Sequence, residues 1–191
     1  MTASATSSSK VSRQDHRLAG TMVLPGDDRF DQARQAWNLA VDQRPAAVAF
    51  PESAADIAAA VGWAAERGLR VAAQGTGHNA GPLGSLADTV LVKTGRMRGI
   101  QVDPHTRTAR VEAGAVWLDV VHAAAAHGLA ALAGSSPDVG VAGYTLGGGM
   151  SFLGRSYGLA ANNVHAIEMV TADGGQVRAR SGTTGCRRMP R

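Results

Sequence analysis

Glycine placement constrains this chain more than any other feature of its sequence. Of its 191 residues 24 are glycine, and they crowd into two stretches, 75–84 and 140–158. Fixing glycine costs backbone entropy, so it is kept where the chain turns through positive φ or where another group must approach the main chain closely. Two glycine-dense stretches separated by ordinary apolar runs predict two special loops on a folded scaffold, not a low-complexity chain. Hydrophobic residues make up 45% of the sequence, ordinary for a globular protein, and the length supports one or two domains with a real core.

The scaffold is legible in outline. Ala46–Phe50 is an apolar run closed by Pro51 and reads as a strand. Ser53 fits a helix N-cap with Asp56 in the first turn, and Ile57, Ala60, Val61 and Ala64 recur at helical spacing up to a stop at Gly68. Leu69–Ala73 and Thr89–Lys93 read as strands. Gly99–Asp103 and Thr108–Ala113 flank a polar hairpin connection at 104–107, and Val116–Ala126 is an amphipathic helix stopped by Gly128. His165–Thr171 and Gln176–Arg180 flank Asp173-Gly174, a short-hairpin signal. This order, with a long glycine loop before the last hairpin, predicts an α+β fold and not the regular alternation of a doubly wound sheet.

In the first glycine stretch a strand-like run feeds Gln74-Gly75-Thr76-Gly77-His78-Asn79-Ala80-Gly81. Successive amides in such a loop can form an anion-binding nest suited to pyrophosphate. The same residues read equally as a tight turn with a surface histidine. The dinucleotide fingerprint GxGxxG is broken, because Ala80 stands where its third glycine belongs and Pro82 follows where a helix should begin. The second stretch, Gly134 to Gly149, keeps Val139, Val141, Tyr144 and Leu146 among its glycines. A flexible linker would be polar, so this one reads as a loop facing a ligand. Residues 149–156 imitate a phosphate-binding GxxxxG motif, but with Arg155 in place of the required lysine and no strand leading in.

Charge excludes a further class. The net charge is +4, yet residues 178–191 hold five arginines and no acids, which leaves 14 basic against 15 acidic residues elsewhere. The positive balance belongs to the tail and forms no basic face for nucleic acid. The lone Cys186 cannot make an internal disulfide. His122 and His127 are five apart on a predicted helix and point to different faces, and no metal-ligand constellation is present. No apolar run reaches the roughly 20 residues needed to cross a bilayer. The first twenty residues lack the apolar core of a secretory signal, so residues 1–19 are expected to be a disordered leader and the protein cytoplasmic.

Taken together, these motifs resemble the FAD-binding domain of the vanillyl-alcohol-oxidase, or PCMH-type, flavoproteins, and most of all their berberine-bridge-like and 6-hydroxynicotine-oxidase-like members. The resemblance is carried by Arg44-Pro45-Ala46, Gln74 to His78, Val90-Leu91-Val92, Ala113-Gly114-Ala115, Gly134 to Gly149 and Tyr157 to Val164, within about 20–177. It implies a PCMH-type domain of two small α/β subdomains over residues 20–180, incomplete at its C-terminal end, with 181–191 a basic tail foreign to the family. It further implies FAD as cofactor, with Gly75, Thr76, Gly77, His78 and Asn79 wrapping the diphosphate. His78 would be bonded through a ring nitrogen to the 8α carbon of the isoalloxazine. Pro137, Val139, Gly140, Gly143, Tyr144, Gly147 and Gly148 would line the flavin, and Asn162 sits where the family places Asn or Asp near the cofactor. Some members carry a second link through a cysteine; the matching position here is Ser136, so a singly linked flavin is expected.

By the same resemblance the chain is an FAD-linked oxidoreductase, oxidising a small-molecule CH–OH or CH–NH substrate and passing electrons to oxygen, with neither nucleic acid nor membrane as a partner. The catalytic residues and oligomeric state are left unassigned, and no metal is expected. The family continues beyond the strand at Gln176–Arg180 into a further glycine-rich segment and a substrate domain. The charge change at 178 therefore leads to the expectation of a frameshift, premature stop or gene fragment, and the incomplete sheet edge to that of low solubility; two alternative readings stand beside the enzyme, a non-catalytic flavin- or nucleotide-binding module or an inactive remnant.

Overall fold

The computed structural model describes residues 21–180; the expected leader, the basic tail and Cys186 lie outside the described residues. Eight strands and five α-helices follow in order: β1 (Thr21–Val23), α1 (Phe30–Ala33), β2 (Ala47–Phe50), α2 (Ala54–Ala65), β3 (Arg70–Gln74), β4 (Thr89–Lys93), β5 (Ile100–Asp103), β6 (Thr108–Val111), α3 (Trp117–Ala125), α4 (Val141–Leu146), α5 (Gly154–Tyr157), β7 (Ala166–Val170) and β8 (Gln176–Arg180). Single 3-10 turns cover Gly81–Leu83, Thr94–Arg96 and Ala160–Asn163. This is the α+β arrangement expected from the sequence.

A four-stranded sheet in the order β1-β2-β4-β3 anchors the molecule, with β2, β4 and β3 parallel and β1 antiparallel on β2. Strands β2 and β4 are continuous apolar runs because both faces are covered. Ala47, Ala49, Val90 and Val92 pack against Ala60 and Ala64 of α2, whereas Val48 points the other way, onto Val23 and Ala33 of α1. Leu91, in the centre of β4, is fully buried. Leu91→Ala should cost about 3 kcal/mol of unfolding free energy, as large-to-small changes in a closed core do; urea denaturation measures it. At the other extreme, edge strand β3 leaves Val71 40% exposed, with one side unpaired among the described residues.

Local chemistry sets the helix ends. Ser53 is extended (φ −148°, ψ 167°) and its Oγ accepts from the Asp56 amide, while the Asp56 carboxylate accepts from the Glu52 amide at 3.0 Å and the Ser53 hydroxyl at 3.0 Å. The first turn of α2 is thereby closed by a reciprocal cap. Beyond its far end Gly68 takes φ +65°, and Leu69 N–H returns to the Ala64 carbonyl. The two expected hairpins form as β5–β6 and β7–β8. The second turns through three residues, 172–174: Thr171 and Gly175 pair across its base and Gly174 adopts φ +80°.

The second glycine stretch departs from the expected long loop. Residues 141–146 form α4, which begins after extended Gly140 and ends at Gly147. Gly154–Tyr157 form α5. The apolar residues that argued against a flexible linker have here closed helical turns. No strand runs directly into Gly149, in keeping with the dismissal of a phosphate-binding loop. Among the described residues no helix is long and apolar enough to cross a membrane, and no group of His, Cys, Asp and Glu could hold a metal ion.

Candidate functional site

The carboxyl ends of β3 and β4 carry the site, the end of a parallel sheet where ligands are generally held. Gln74 closes β3 and is buried; its Nε2 donates to Gln43 Oε1 at 2.8 Å, and Gln43 Nε2 reaches the Ala80 carbonyl at 3.5 Å. This pair of buried amides ties both ends of the loop at 75–79 to the irregular segment 34–46. Lys93 closes β4, and its ammonium donates to the carbonyls of Ala33 and Gln35; burial pushes its pKa down. The guanidinium of Arg34 bonds Asp31, Asp42 and the Gln43 carbonyl. The segment thus lacks regular structure yet is held firmly, and it delivers Trp37 onto the loop, with Trp37 N–H donating to the Thr76 carbonyl at 3.0 Å.

Gly77 is required there. Its φ is +89°, and a β-carbon would stand 2.8 Å from the Ala36 β-carbon. Among the described residues, the amides of Thr76, Gly77, His78 and Asn79 donate to no acceptor, as a loop that wraps an anion requires.

The second region meets the first. Val116 and Gly140 form an isolated antiparallel bridge, and the opening amides of α3, Trp117 and Leu118, donate to the carbonyls of Val139 and Pro137 at 3.0 and 2.9 Å. The second loop therefore caps α3, which has no side-chain cap of its own. Gly140 lies against Thr76: a β-carbon on Gly140 would sit 3.8–3.9 Å from Thr76 atoms. Asp138 projects toward His78, with Oδ1 3.5 Å from Nε2. That approach lies within ion-pair range but lacks hydrogen-bond geometry, so Nε2 is sealed without a hydrogen-bond partner.

Trp37 completes the arrangement. Its indole stacks on the His78 imidazole, with centroids 3.8 Å apart and planes 21° from parallel, and its Nε1 donates to Asp138 Oδ2 at 2.7 Å. Ser136 Oγ donates to Asp138 Oδ1 at 2.8 Å. The Ser136 hydroxyl first, then the indole N–H, the backbone and the His78 charge hold the Asp138 carboxyl below the usual carboxylate range.

The remaining expected residues are distributed around this centre. Tyr144 packs edge-on against Trp117 (5.3 Å, 80°) and is wedged between Gly134 and Gly149. Its hydroxyl and Trp117 Nε1 are sealed without partners, and burial pushes the Tyr144 pKa up. Gly143 is open, with no atom within 4 Å of where a β-carbon would be, and Gly147 follows the end of α4. Gly148 (φ +103°) accepts from Ala161 N–H through its carbonyl, which docks the 3-10 turn holding Asn162. Asn162 itself is exposed and spends its Oδ1 on the Leu159 amide. The surface is open, and the apolar residues at its outer side stand clear of the core: Leu146, Met150 and Phe152 are 73%, 80% and 83% exposed.

Sequence reasoning missed Trp37 and Asp138. Trp37 lies 41 positions before His78 in a segment without periodicity. Asp138 sits inside the second glycine stretch, where the glycines drew attention away from the single carboxylate.

The side chains and backbone suit a flavin dinucleotide. Four unpaired amides line one loop, and the sealed side-chain polar atoms without partners among the described residues are Gln74 Oε1, His78 Nε2, Trp117 Nε1 and Tyr144 OH, the first at the end of β3 and the others on the two glycine stretches or on α3. Comparison with known proteins agrees. Residues 45–180 match the FAD binding domain family. The chain is 34% identical over 157 residues to (R)-6-hydroxynicotine oxidase of Paenarthrobacter nicotinovorans, covering 82% of this chain and 34% of that protein. Glucooligosaccharide oxidase of Sarocladium strictum is 34% identical over 153 residues, covering 75% of this chain and 29% of its own length. The crystal structure of 6-hydroxy-D-nicotine oxidase from Arthrobacter nicotinovorans superposes with a TM-score of 0.82 at 31% identity, over 90% of this chain and 38% of that one. Wild-type BBE-like 1 of Physcomitrella patens gives 0.77 at 30% identity, over 87% and 37%. The chain thus spans about a third of the length of the curated relatives it matches. By its sequence, its sheet and the meeting of its two glycine loops, this chain belongs to the FAD binding domain family of flavoproteins.

Proposed function

We propose that this chain is the FAD-binding portion of an oxidoreductase, with the dinucleotide held across 75–79 and 134–148 and the flavin bonded to His78. The observation that carries the reading is the convergence of the two loops on one imidazole, gripped on its face by Trp37 and faced at its edge by Asp138. The unpaired amides of Thr76 to Asn79 supply donors for a diphosphate, and Gly140 keeps the facing loop close enough to share it. Bound FAD would accept a hydride from a CH–OH or CH–NH group of a small molecule and return the electrons to oxygen. The residues named here bind and orient the cofactor. Tyr144 and Trp117 form the wall beneath the second loop, and Asn162 keeps its turn docked on it.

The test is the intact mass of chain produced with riboflavin present. A mass greater by one FAD, with yellow colour retained after acid precipitation, supports the reading. Colour released by acid leaves a bound but unlinked flavin. Colourless chain at saturating FAD overturns it in favour of an inactive remnant.

A further inference from the structure

We infer that Asp138 is the positioning residue that sets the proton on His78, fixing it on Nε2 and so leaving Nδ1 as the nucleophilic nitrogen. The inference rests on the proposed bond between His78 and the flavin. Nε2 is the enclosed ring nitrogen, so Nδ1 is the one an outside group can reach. A carboxylate oxygen 3.5 Å from Nε2 favours the tautomer that carries its proton there. Asp138 is itself built in place: Ser136 holds the oxygen nearest His78, and Trp37, whose ring lies on the imidazole, holds the other. One carboxylate therefore fixes both what lies on the face of the ring and what lies at its edge. This also gives Ser136 a purpose at the position where a second flavin link is absent.

The chemistry balances on these groups. With FAD bound, the 8α carbon would give a proton to water and the Nδ1 lone pair of His78 would form the N–C bond, the electron pair of the broken C–H bond staying on the flavin until oxygen, the acceptor already proposed, takes it. The imidazole becomes cationic as the bond forms, with its remaining proton on Nε2 facing Asp138. The carboxylate stabilises that cation by its charge, and the Nε2 proton is released to water.

The test pairs a flavin-free measurement with a flavin-loaded one. In flavin-free ¹⁵N-labelled chain, the His78 ring resonances should report the Nε2–H tautomer, and Asp138→Asn should shift them toward the Nδ1–H form. After FAD addition, Asp138→Asn should slow the gain of covalent mass about 100-fold, the scale of a lost electrostatic stabiliser, with the melting temperature close to that of the parent. Should Asp138→Asn fail to fold, Ser136→Ala loosens Asp138 without touching His78 and should slow the gain about tenfold; an unchanged rate there counts against the inference. An Nδ1–H tautomer in the parent chain, or an unchanged tautomer and rate in Asp138→Asn, overturns it. If the parent chain binds FAD but never gains mass, the covalent reading falls; in that event the tautomer shift alone decides whether Asp138 controls His78.

Discussion

His78→Ala should abolish acid-stable flavin entirely while leaving the fold intact. The imidazole contributes its stacking on Trp37 and its approach to Asp138, and neither anchors the sheet. The loop is held by other groups: the Gln43–Gln74 amide pair and Trp37 N–H on the Thr76 carbonyl. Among the described residues the nearest hydroxyl, that of Ser136, does not take over, because it is committed to Asp138 and a hydroxyl is a weak nucleophile unless a base activates it. Intact mass before and after the substitution measures the effect. Mass retained by His78→Ala would place the link on another residue and remove the imidazole from the centre of the site.

Among the described glycines, Gly114→Ala should be the most damaging change to alanine. A β-carbon at Gly114 would stand 1.9 Å from the Thr94 carbonyl oxygen, 2.7 Å from its carbon and 2.8 Å from the Met97 oxygen. All three are backbone atoms, so no rotamer change relieves the overlap. Gly114 N–H also donates to Met97 O, Thr94 Oγ1 donates to Ala113 O, and the next residue, Ala115, accepts from Val141 N–H. Forcing this crossing apart moves the end of β4 away from the start of α3, and with it the second loop. We expect a loss of more than about 3 kcal/mol, a melting temperature lower by roughly 10 °C, and loss of FAD binding with it. Gly68→Ala is the control. Gly68 turns through positive φ, at +65°, as Gly114 does not, but nothing lies within 4 Å of its missing β-carbon, so the cost should be about 1 kcal/mol. Equal effects at the two positions would show that crowding does not govern Gly114.

Most elements were legible in the residues because their signals are local. Ser53 and Asp56 announce a helix start, Gly68 and Gly128 announce stops, and the apolar runs at 47–50 and 89–93 are long enough for strands yet too short for helices. The second stretch differs in local form: its residues read as a ligand-facing loop, and 141–146 close a short helix within it. Flanking glycines obscure so brief a helix, because their low propensity argues against it while the neighbouring turn and the packing of Tyr144 on Trp117 decide for it.

The sequence by itself determined which loops are special and that His78 ends the first of them, since glycine spacing and the adjoining strand run are properties of neighbours along the chain. Only the tertiary structure decided what surrounds that histidine. Trp37, His78 and Asp138 come from three segments with no shared periodicity. They meet because the buried Gln43–Gln74 pair, Lys93 and the crossing at Gly114 fold those segments over the same end of one sheet, and contacts of that range leave no mark in local sequence.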